Sequence, residues 1–278
     1  MPMLAPNIKL CAFSVLFAGM ALLFPMYLQA AQLLSFEGRA KDIKTSELLY
    51  TEKHEIILNE AGEYLSAYVS YRDIHGEIFA EKVLDYSKSA LAPDLMFYDK
   101  RTDEHLSVFF NNRDNFLHVV AERAKKRNGT NVKLDSSIVA VDAGFDRLIH
   151  DNWDTLRKNK IIDFTFLAIT RAQLFKFEAV EKTVKESKVQ IELHPRNFFI
   201  DMLVDPIVLE YDLESRRLLS FEGLTNIERF KNGKRSEENY VARIDYYYQA
   251  LKPYSLLSLT AIEITRQSTQ FIKSVIKP

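Results

Sequence analysis

The amino-acid sequence predicts a mainly β (α+β) fold, in which one large curved antiparallel sheet or half-barrel has one main helix packed against it. Short runs of β-forming residues recur along the chain, with turn signals between them, and only one segment has apolar residues at helical spacing. The chain has 278 residues, 47% hydrophobic and 27% charged, and no Pro/Ser-rich linker divides it. We therefore expect a single domain at residues 32–278, after a signal segment at residues 1–31.

The first half of this domain has the pattern of an antiparallel meander. Tyr64–Tyr71 and Glu77–Leu84 are rich in β-formers and are separated by Arg72–Gly76, whose composition is typical of a turn. These two segments are predicted to form a hairpin. Further strands of the same sheet are predicted at residues 48–58, 95–98, 105–110, 116–121 and 132–134.

An Asn-Gly pair follows the densest basic cluster of the chain, Lys125–Arg127. Because Asn-Gly favours a tight turn, Asn128-Gly129 is predicted to join two strands, with the basic residues at a solvated hairpin end. The alternative is that Asn128 opens a glycosylation sequon with Thr130. The formal net charge of −1 makes nucleic acid an unexpected partner.

The one helical signal covers residues 142–156. Phe145, Ile149, Trp153 and Leu156 are spaced so that they share one apolar face, and Asp142 is predicted to cap the helix. Trp153 is the only tryptophan of the chain. Its place on the apolar stripe predicts that the helix packs against the concave side of the sheet.

Strand patterns return after this helix. Alternating apolar and polar residues predict half-buried strands at 162–168, 174–180 and 188–194. Lys231-Asn-Gly-Lys234 is the strongest hairpin signal and is predicted to join strands at 217–227 and 240–248. A short helix is predicted at 198–204, whereas residues 251–278 fit a strand or an amphipathic helix equally well.

Aromatic residues provide the main candidate for a binding site. The chain has 19 Phe and 13 Tyr, and several of them would share inner faces of the sheet. The candidate ligand-binding residues are Trp153, Phe164, Phe166, Phe175, Phe177, Tyr246 and Tyr248. Such a face on a curved sheet can enclose a cavity for an acyl chain, or it can be a filled core beneath the helix.

A polar row on the predicted helix provides a second candidate. Asp146, His150 and Asp154 are four residues apart, so they can project from one face as a general base or metal site. The alternative is a solvated polar face, and His54 beside Glu52 is likewise expected on an exposed strand face. No HExxH, GxSxG, Walker or GxGxxG motif is present, so we assign no catalytic residue, metal ligand or cofactor.

The first thirty residues predict export. Lys9 precedes the apolar run Leu10–Phe24, Pro25 breaks this run, and small residues follow at Ala30 and Ala31. This is the pattern of a cleaved signal peptide, and an uncleaved membrane anchor is the alternative. The only cysteine, Cys11, lies in the run. We therefore expect a thiol-free, disulfide-free protein in the periplasm or cell envelope of a bacterium, in contact with the membrane through this segment before cleavage.

The predicted order of elements is similar in outline to periplasmic carriers that hold lipid or lipoprotein acyl chains in a half-barrel, although no motif matches them residue by residue. The sequence thus predicts a non-enzymatic binding or carrier protein for a lipid, acyl chain or other apolar ligand. One alternative is an envelope protein that docks another protein through a sheet edge or a Tyr-rich patch. A hydrolase that uses Asp146, His150 and Asp154 is the third hypothesis.

Overall fold

The structure is a computed structural model that describes residues 31–111, 113–123, 126–134, 138–196, 206–231 and 234–254. Within these ranges the chain forms one sixteen-stranded sheet and two short helices. No helix in the same ranges is long and apolar enough to cross a membrane. The predicted signal segment, the predicted helix at 198–204 and the chain from 255 onward lie outside the described residues.

The first half of the domain is a meander in which each strand pairs antiparallel with the next. Its strands are β1 (Gln32–Asp42), β2 (Leu48–Leu58), β3 (Tyr64–Arg72), β4 (Ile78–Asp85), β5 (Asp94–Asp99), β6 (Glu104–Asn111), β7 (Phe116–Arg123) and β8 (Lys126–Lys133). The predicted central hairpin is confirmed as β3 and β4, with Tyr68 opposite Val83.

The second half returns the chain to the middle of the sheet. Its elements are β9 (Val139–Ala140), α1 (Gly144–Asp151), α2 (Trp153–Leu156), β10 (Ile162–Ala168), a 3-10 turn (Ile169–Arg171), β11 (Gln173–Lys185), β12 (Lys188–Pro195), β13 (Ile207–Asp212), β14 (Leu218–Lys231), β15 (Lys234–Tyr248) and β16 (Lys252–Pro253). β15 pairs antiparallel with β1, which places β8 and β9 at the two ends of the strand order. β9 runs parallel to β10, in contrast to the antiparallel prediction.

The sheet is curved but is not closed by hydrogen bonds between its end strands. Val141 and Leu167, from the end that contains β9 and β10, share one buried cluster with Leu106 and Leu117 from β6 and β7. Side-chain packing therefore joins the two arms of the sheet. The predicted curved sheet or half-barrel is confirmed.

The predicted helix is confirmed in position, but it is two helices. Asn152 interrupts it with φ −107° and ψ 12°. Asp142 does not cap α1, because its φ is +47° and its carboxylate binds Lys82 and Asn226 instead. Ala143 occupies the N-cap and makes no side-chain capping hydrogen bond. A tertiary contact thus replaces the local cap that the sequence predicted.

Both helices pack against the inner faces of β10 to β13. Their shared buried cluster consists of Ala140, Leu148, Ile149, Trp153, Leu156, Phe164, Ala179, Val189, Ile191, Leu193, Leu209 and Tyr211. Packing of one helical face on a sheet in this way removes apolar surface from water and holds the short helices in place. The helices fill only one arm of the curved sheet.

The predicted turn at Asn128-Gly129 is wrong. Both residues lie inside β8, where Asn128 pairs with Ala121 and Gly129 with Val120. β7 and β8 pair along their whole length, and this tertiary pairing overrides the local turn preference of Asn-Gly. The prediction at the other Asn-Gly pair is confirmed, because Lys231 pairs with Lys234 where β14 meets β15.

Candidate ligand-binding cavity

Two adjoining cavities lie on the concave side of the sheet, the smaller beside the start of α1 and the larger beside the 3-10 turn at Ile169–Arg171. One has a volume of about 180 Å³ and the other of about 620 Å³. Small-molecule sites typically occupy roughly 300–1,000 Å³. Residues that line both cavities are Tyr71, Lys82, Asp142, Phe166, Phe177, Ile207, Leu224, Thr225 and Asn226. Because the cavities share this wall, the concave side of the sheet is hollow in part.

A phenylalanine wall closes one side of the cavities. Phe164 lies opposite Phe177, and Phe166 opposite Phe175, on the neighbouring strands β10 and β11. The rings of Phe164 and Phe177 are 5.7 Å apart, and those of Phe166 and Phe177 are 6.1 Å apart. All four predicted side chains therefore line one cavity or the other, with Phe175 at the larger one.

Both predicted tyrosines of β15 lie on the cavity face of the sheet. Tyr246 and Tyr248 line the smaller cavity, whereas Tyr247 is 50% exposed on the opposite face beneath the guanidinium of Arg39. Trp153 lines neither of the two cavities. It is buried in the helix–sheet core, where its ring lies 5.8 Å from that of Tyr211.

A buried ion pair lies where the two cavities meet. Lys82 Nζ donates to Asp142 Oδ1 at 2.6 Å, and Asn226 Nδ2 donates to Asp142 Oδ2 at 2.8 Å. Burial alone would lower the pKa of Lys82, but the charge of Asp142 and the nearby hydroxyl of Tyr71 raise it above its ordinary value. The ammonium thus remains charged. The sequence does contain a signal for this site, because Lys82 falls on the inward face of β4 with the buried Ala80.

A second buried carboxylate lies on β2. Glu52 is only 6% exposed, and its Oε2 is 2.8 Å from His54 Nε2. The imidazole of His54 stacks on Phe36 with ring centres 4.3 Å apart. Both Glu52 and His54 line the smaller cavity. The expectation of an exposed strand face was therefore wrong, because the curvature of the sheet turns this face of β2 toward the inside.

The predicted polar row is only partly assembled. His150 Nε2 lies 3.8 Å from Asp146 Oδ1, whereas Asp154 is 83% exposed beyond the break at Asn152. Tyr211 Oη donates to Asp146 Oδ1 at 3.0 Å. This contact joins α1 to β13 and is non-local, so the spacing of the helical residues could not predict it. In the part of the chain that the structure describes, no three His, Cys, Asp or Glu side chains form a metal-binding group.

Asp146 makes the stability of the fold depend on pH. Burial raises its pKa above the ordinary 3.8, although His150 and Tyr211 act in the opposite direction. The folded protein therefore holds this proton more tightly than the unfolded chain. The stabilisation that the protonated Asp146 contributes is fully present below about pH 3.8, and it is lost as the pH rises through the raised pKa of the folded state.

We expect Asp146→Asn to remove this pH dependence while keeping an acceptor for Tyr211. Relative to the variant, the wild-type protein should lose free energy of unfolding as the pH rises from about 4 to 7. Urea unfolding at both pH values measures this change. Asp154→Asn, at an exposed position of the same helical region, is the control and should show no such trend. A constant difference between the wild type and Asp146→Asn would contradict the prediction.

The fold and the site define an open, curved β-sheet protein with a mostly apolar internal cavity. No protein-family model matches the sequence, and no curated protein matches it. A β-barrel-like protein of the domain of unknown function DUF1849 from Brucella abortus is similar in structure, with 8% identity, a TM-score of 0.38, and coverage of 81% of this chain and 98% of that one. A porin-like protein from Bacteroides uniformis is also similar in structure, with 9% identity and a TM-score of 0.24. The match covers 77% of this chain and 97% of that one.

Proposed function

We propose that this chain is a non-enzymatic binding or carrier protein for a hydrophobic ligand, such as a lipid or an acyl chain, in the bacterial envelope. The observation that carries the proposal is the hollow concave side of the sheet, where the two cavities adjoin. A filled core would have favoured a purely structural role for the same aromatic residues. The larger cavity, about 620 Å³, lies in the size range of small-molecule sites.

The lining of the cavities suits an apolar ligand. Phe164, Phe166 and Phe177 form one wall, and Ile207 and Leu224 lie beside the junction of the two cavities. Each methylene group of a ligand that moves from water into such surroundings contributes about 0.8 kcal/mol to the free energy of binding. An alkyl chain along this wall would therefore bind through burial, and Arg171 lies in the lining of the larger cavity with Phe175.

Export supports the envelope as the place of action. The apolar run after Lys9 and the small residues Ala30 and Ala31 fit a signal peptide. A domain without cysteine is compatible with an oxidising compartment, because it has no thiol to oxidise there. We propose cleavage after Ala30 or Ala31 and release of the domain into the periplasm.

Native mass spectrometry of the protein purified from its own envelope tests ligand binding and export together. We expect a co-purified apolar adduct on a chain that begins at residue 31 or 32. The proposal of a carrier would be wrong if no adduct is present and the uncharged fluorescent probe N-phenyl-1-naphthylamine does not bind. A chain that begins at Met1 would contradict cleavage but not binding.

Filling the junction of the cavities should weaken binding. Ile207 lines both cavities, so Ile207→Trp is expected to weaken probe binding by about 10-fold or more. Loss of the burial of two methylene-sized groups of the probe already lowers the affinity by about that factor. Ile161→Trp is the matched control, since Ile161 is 55% exposed and lines neither of the two cavities. Fluorescence titration measures both variants. Equal affinities for the two variants would place the ligand elsewhere.

The exposed end strand β8 supports a second candidate function, which is docking of an envelope protein. Seven of its eight residues are exposed, and its burial pattern shows no alternation. An end strand with free backbone groups can add a strand from a partner. Crosslinking in cells separates the two functions, because docking predicts one specific protein adduct and a carrier predicts bound lipid.

A further inference from the structure

The wall of the larger cavity contains one charged side chain that no other described residue engages. The charged residues of this lining are Lys82, Asp142, Arg171, Arg229 and Glu238. Lys82 pairs with Asp142 at 2.6 Å, and Arg229 Nη1 lies 3.4 Å from Glu238 Oε2. The side chain of Arg171 has no ion pair or hydrogen bond within the described ranges. The two pairs cancel, so the lining keeps a net positive charge, and this charge belongs to Arg171.

The connection between β10 and β11 places Arg171 at one end of the phenylalanine wall. Arg171 is the last residue of the 3-10 turn, in which the Ala172 N–H donates to the Ile169 carbonyl at 3.1 Å. Ile169 packs against the buried cluster that joins the two arms of the sheet, and this packing holds the turn in place. Phe166 and Phe175 lie opposite each other in the same hairpin and line the same cavity. An alkyl chain along these rings can therefore place its end group beside the guanidinium.

We infer that the larger cavity takes an amphiphile whose polar end is an anion, a carboxylate or a phosphate, and that Arg171 binds this anion. A guanidinium presents a planar fork of N–H donors, which matches both groups and can bind either through two parallel hydrogen bonds. The alkyl chain of the ligand then lies along the phenylalanine wall toward the junction with the smaller cavity. This inference rests on the proposed binding of a hydrophobic ligand and adds the charge and the position of its polar end.

The exposure of Arg171 allows the charged end of the ligand to stay in contact with water. Arg171 is exposed, whereas Phe166 and Phe175 are half-buried in the same lining. A charged group at this position keeps part of its hydration, and only the alkyl chain has to leave water. An anion deep inside the cavity would instead lose its hydration, which is strongly unfavourable. The anion therefore fits at Arg171 and the chain fits inside.

The smaller cavity disfavours the opposite orientation of the ligand. Glu52 lines this cavity and is only 6% exposed. An anionic end beside Glu52 would meet a like charge in surroundings of low dielectric constant, where the repulsion is strong. Lys82 does not offset this repulsion, because its ammonium is already engaged with Asp142. The two cavities thus differ in charge, and this difference gives an anionic amphiphile one preferred direction.

Displacement of N-phenyl-1-naphthylamine at neutral pH tests the inference at constant chain length. The competitors are dodecanoate, dodecyl phosphate, dodecan-1-ol and dodecyltrimethylammonium, each kept below the concentration at which it forms micelles. For the wild-type protein we expect at least one of the two anions to bind about 10-fold more tightly than the cation. The anion that binds more tightly shows whether the site takes a carboxylate or a phosphate.

The variant Arg171→Gln assigns this preference to one side chain. It should weaken binding of the preferred anion by about 5- to 10-fold and leave binding of the alcohol unchanged, because only the charged end loses its partner. Lys176→Gln is the matched control, since Lys176 is an exposed cation of β11 that lines neither of the two cavities. Its anion affinity should equal that of the wild type. The Tm of Arg171→Gln should also equal that of the wild type, because the fold does not use this guanidinium.

The outcomes separate the inference from the proposed function. The assignment of an anion to Arg171 would be overturned alone if the cation bound as tightly as both anions. Unchanged anion binding by Arg171→Gln, or an equal loss in Lys176→Gln, would overturn it as well. If the probe does not bind, or if none of the four compounds displaces it, the proposed function fails together with the inference.

Discussion

Replacing Asp142 with alanine is expected to lower the free energy of unfolding by about 3–5 kcal/mol. The substitution leaves the Lys82 ammonium, whose side chain is only 10% exposed, without its carboxylate partner. It also removes the acceptor of Asn226 and of the Ala143 backbone N–H. Urea unfolding followed by tryptophan fluorescence measures the loss, since Trp153 is the only tryptophan and is buried.

A second variant separates the cost of an unpaired charge from the cost of lost packing. Lys82→Met in the Asp142→Ala background removes that charge and should recover a large part of the stability, as apolar replacement of buried pairs commonly does. The exposed pair Lys188–Glu210 is the matched control. Glu210→Ala should cost about 1 kcal/mol or less. If Asp142→Ala is no worse than this control, Lys82 is solvated without its partner and the ion pair does not stabilise the fold.

The ion pair also explains how the cavity keeps its shape. Asp142 precedes α1, Lys82 lies on β4, and Asn226 lies on β14, so one carboxylate connects three parts of the wall. Polar contacts of this kind fix the position of the short helix more sharply than apolar packing alone. The cavity can therefore remain open beside a helix of eight residues.

Residue alternation was sufficient to predict most of the sheet. The period-two pattern of β10 and β11 placed Phe164, Phe166, Phe175 and Phe177 on one face, and the cross-strand register confirms it. Alternation fails where a polar residue occupies an inward position. Glu52 was expected to be exposed because it is charged, although Tyr50 and Ile56 on the same face are apolar and buried.

Non-local contacts set the limit of what the sequence predicts. β1 pairs with β15, and the ion pair between Lys41 and Asp245 on these strands joins residues 204 positions apart. No local pattern specifies such a partner. The same reason explains the mistake at Asp142, whose Lys82 contact outweighs helix capping. It also explains the missed role of Tyr211, which donates to Asp146 from β13, 65 residues further along the chain.

Gly144→Ala is expected to cost about 3 kcal/mol or more, although alanine at the start of a helix is normally the better residue. A Cβ at this position would lie 1.9 Å from the carbonyl oxygen of Leu91. That oxygen cannot move away freely, because it also accepts a hydrogen bond from the Val141 N–H at 2.9 Å. The clash therefore displaces the start of α1, together with the Asp142 and Asp146 contacts that border the cavity.

Gly129→Ala is the control for Gly144→Ala and should change stability with the opposite sign. Gly129 lies in the exposed strand β8, and the nearest atoms to an added Cβ are 3.8 Å away on His118 and 3.9 Å away on Val120. Alanine there should stabilise the protein by roughly 0.5–1 kcal/mol, because glycine loses more conformational freedom on folding. Probe binding should weaken in Gly144→Ala alone, since only that substitution shifts the helix beside the cavity. Equal stability and equal probe affinity of the two variants would mean that α1 does not hold the cavity wall in place.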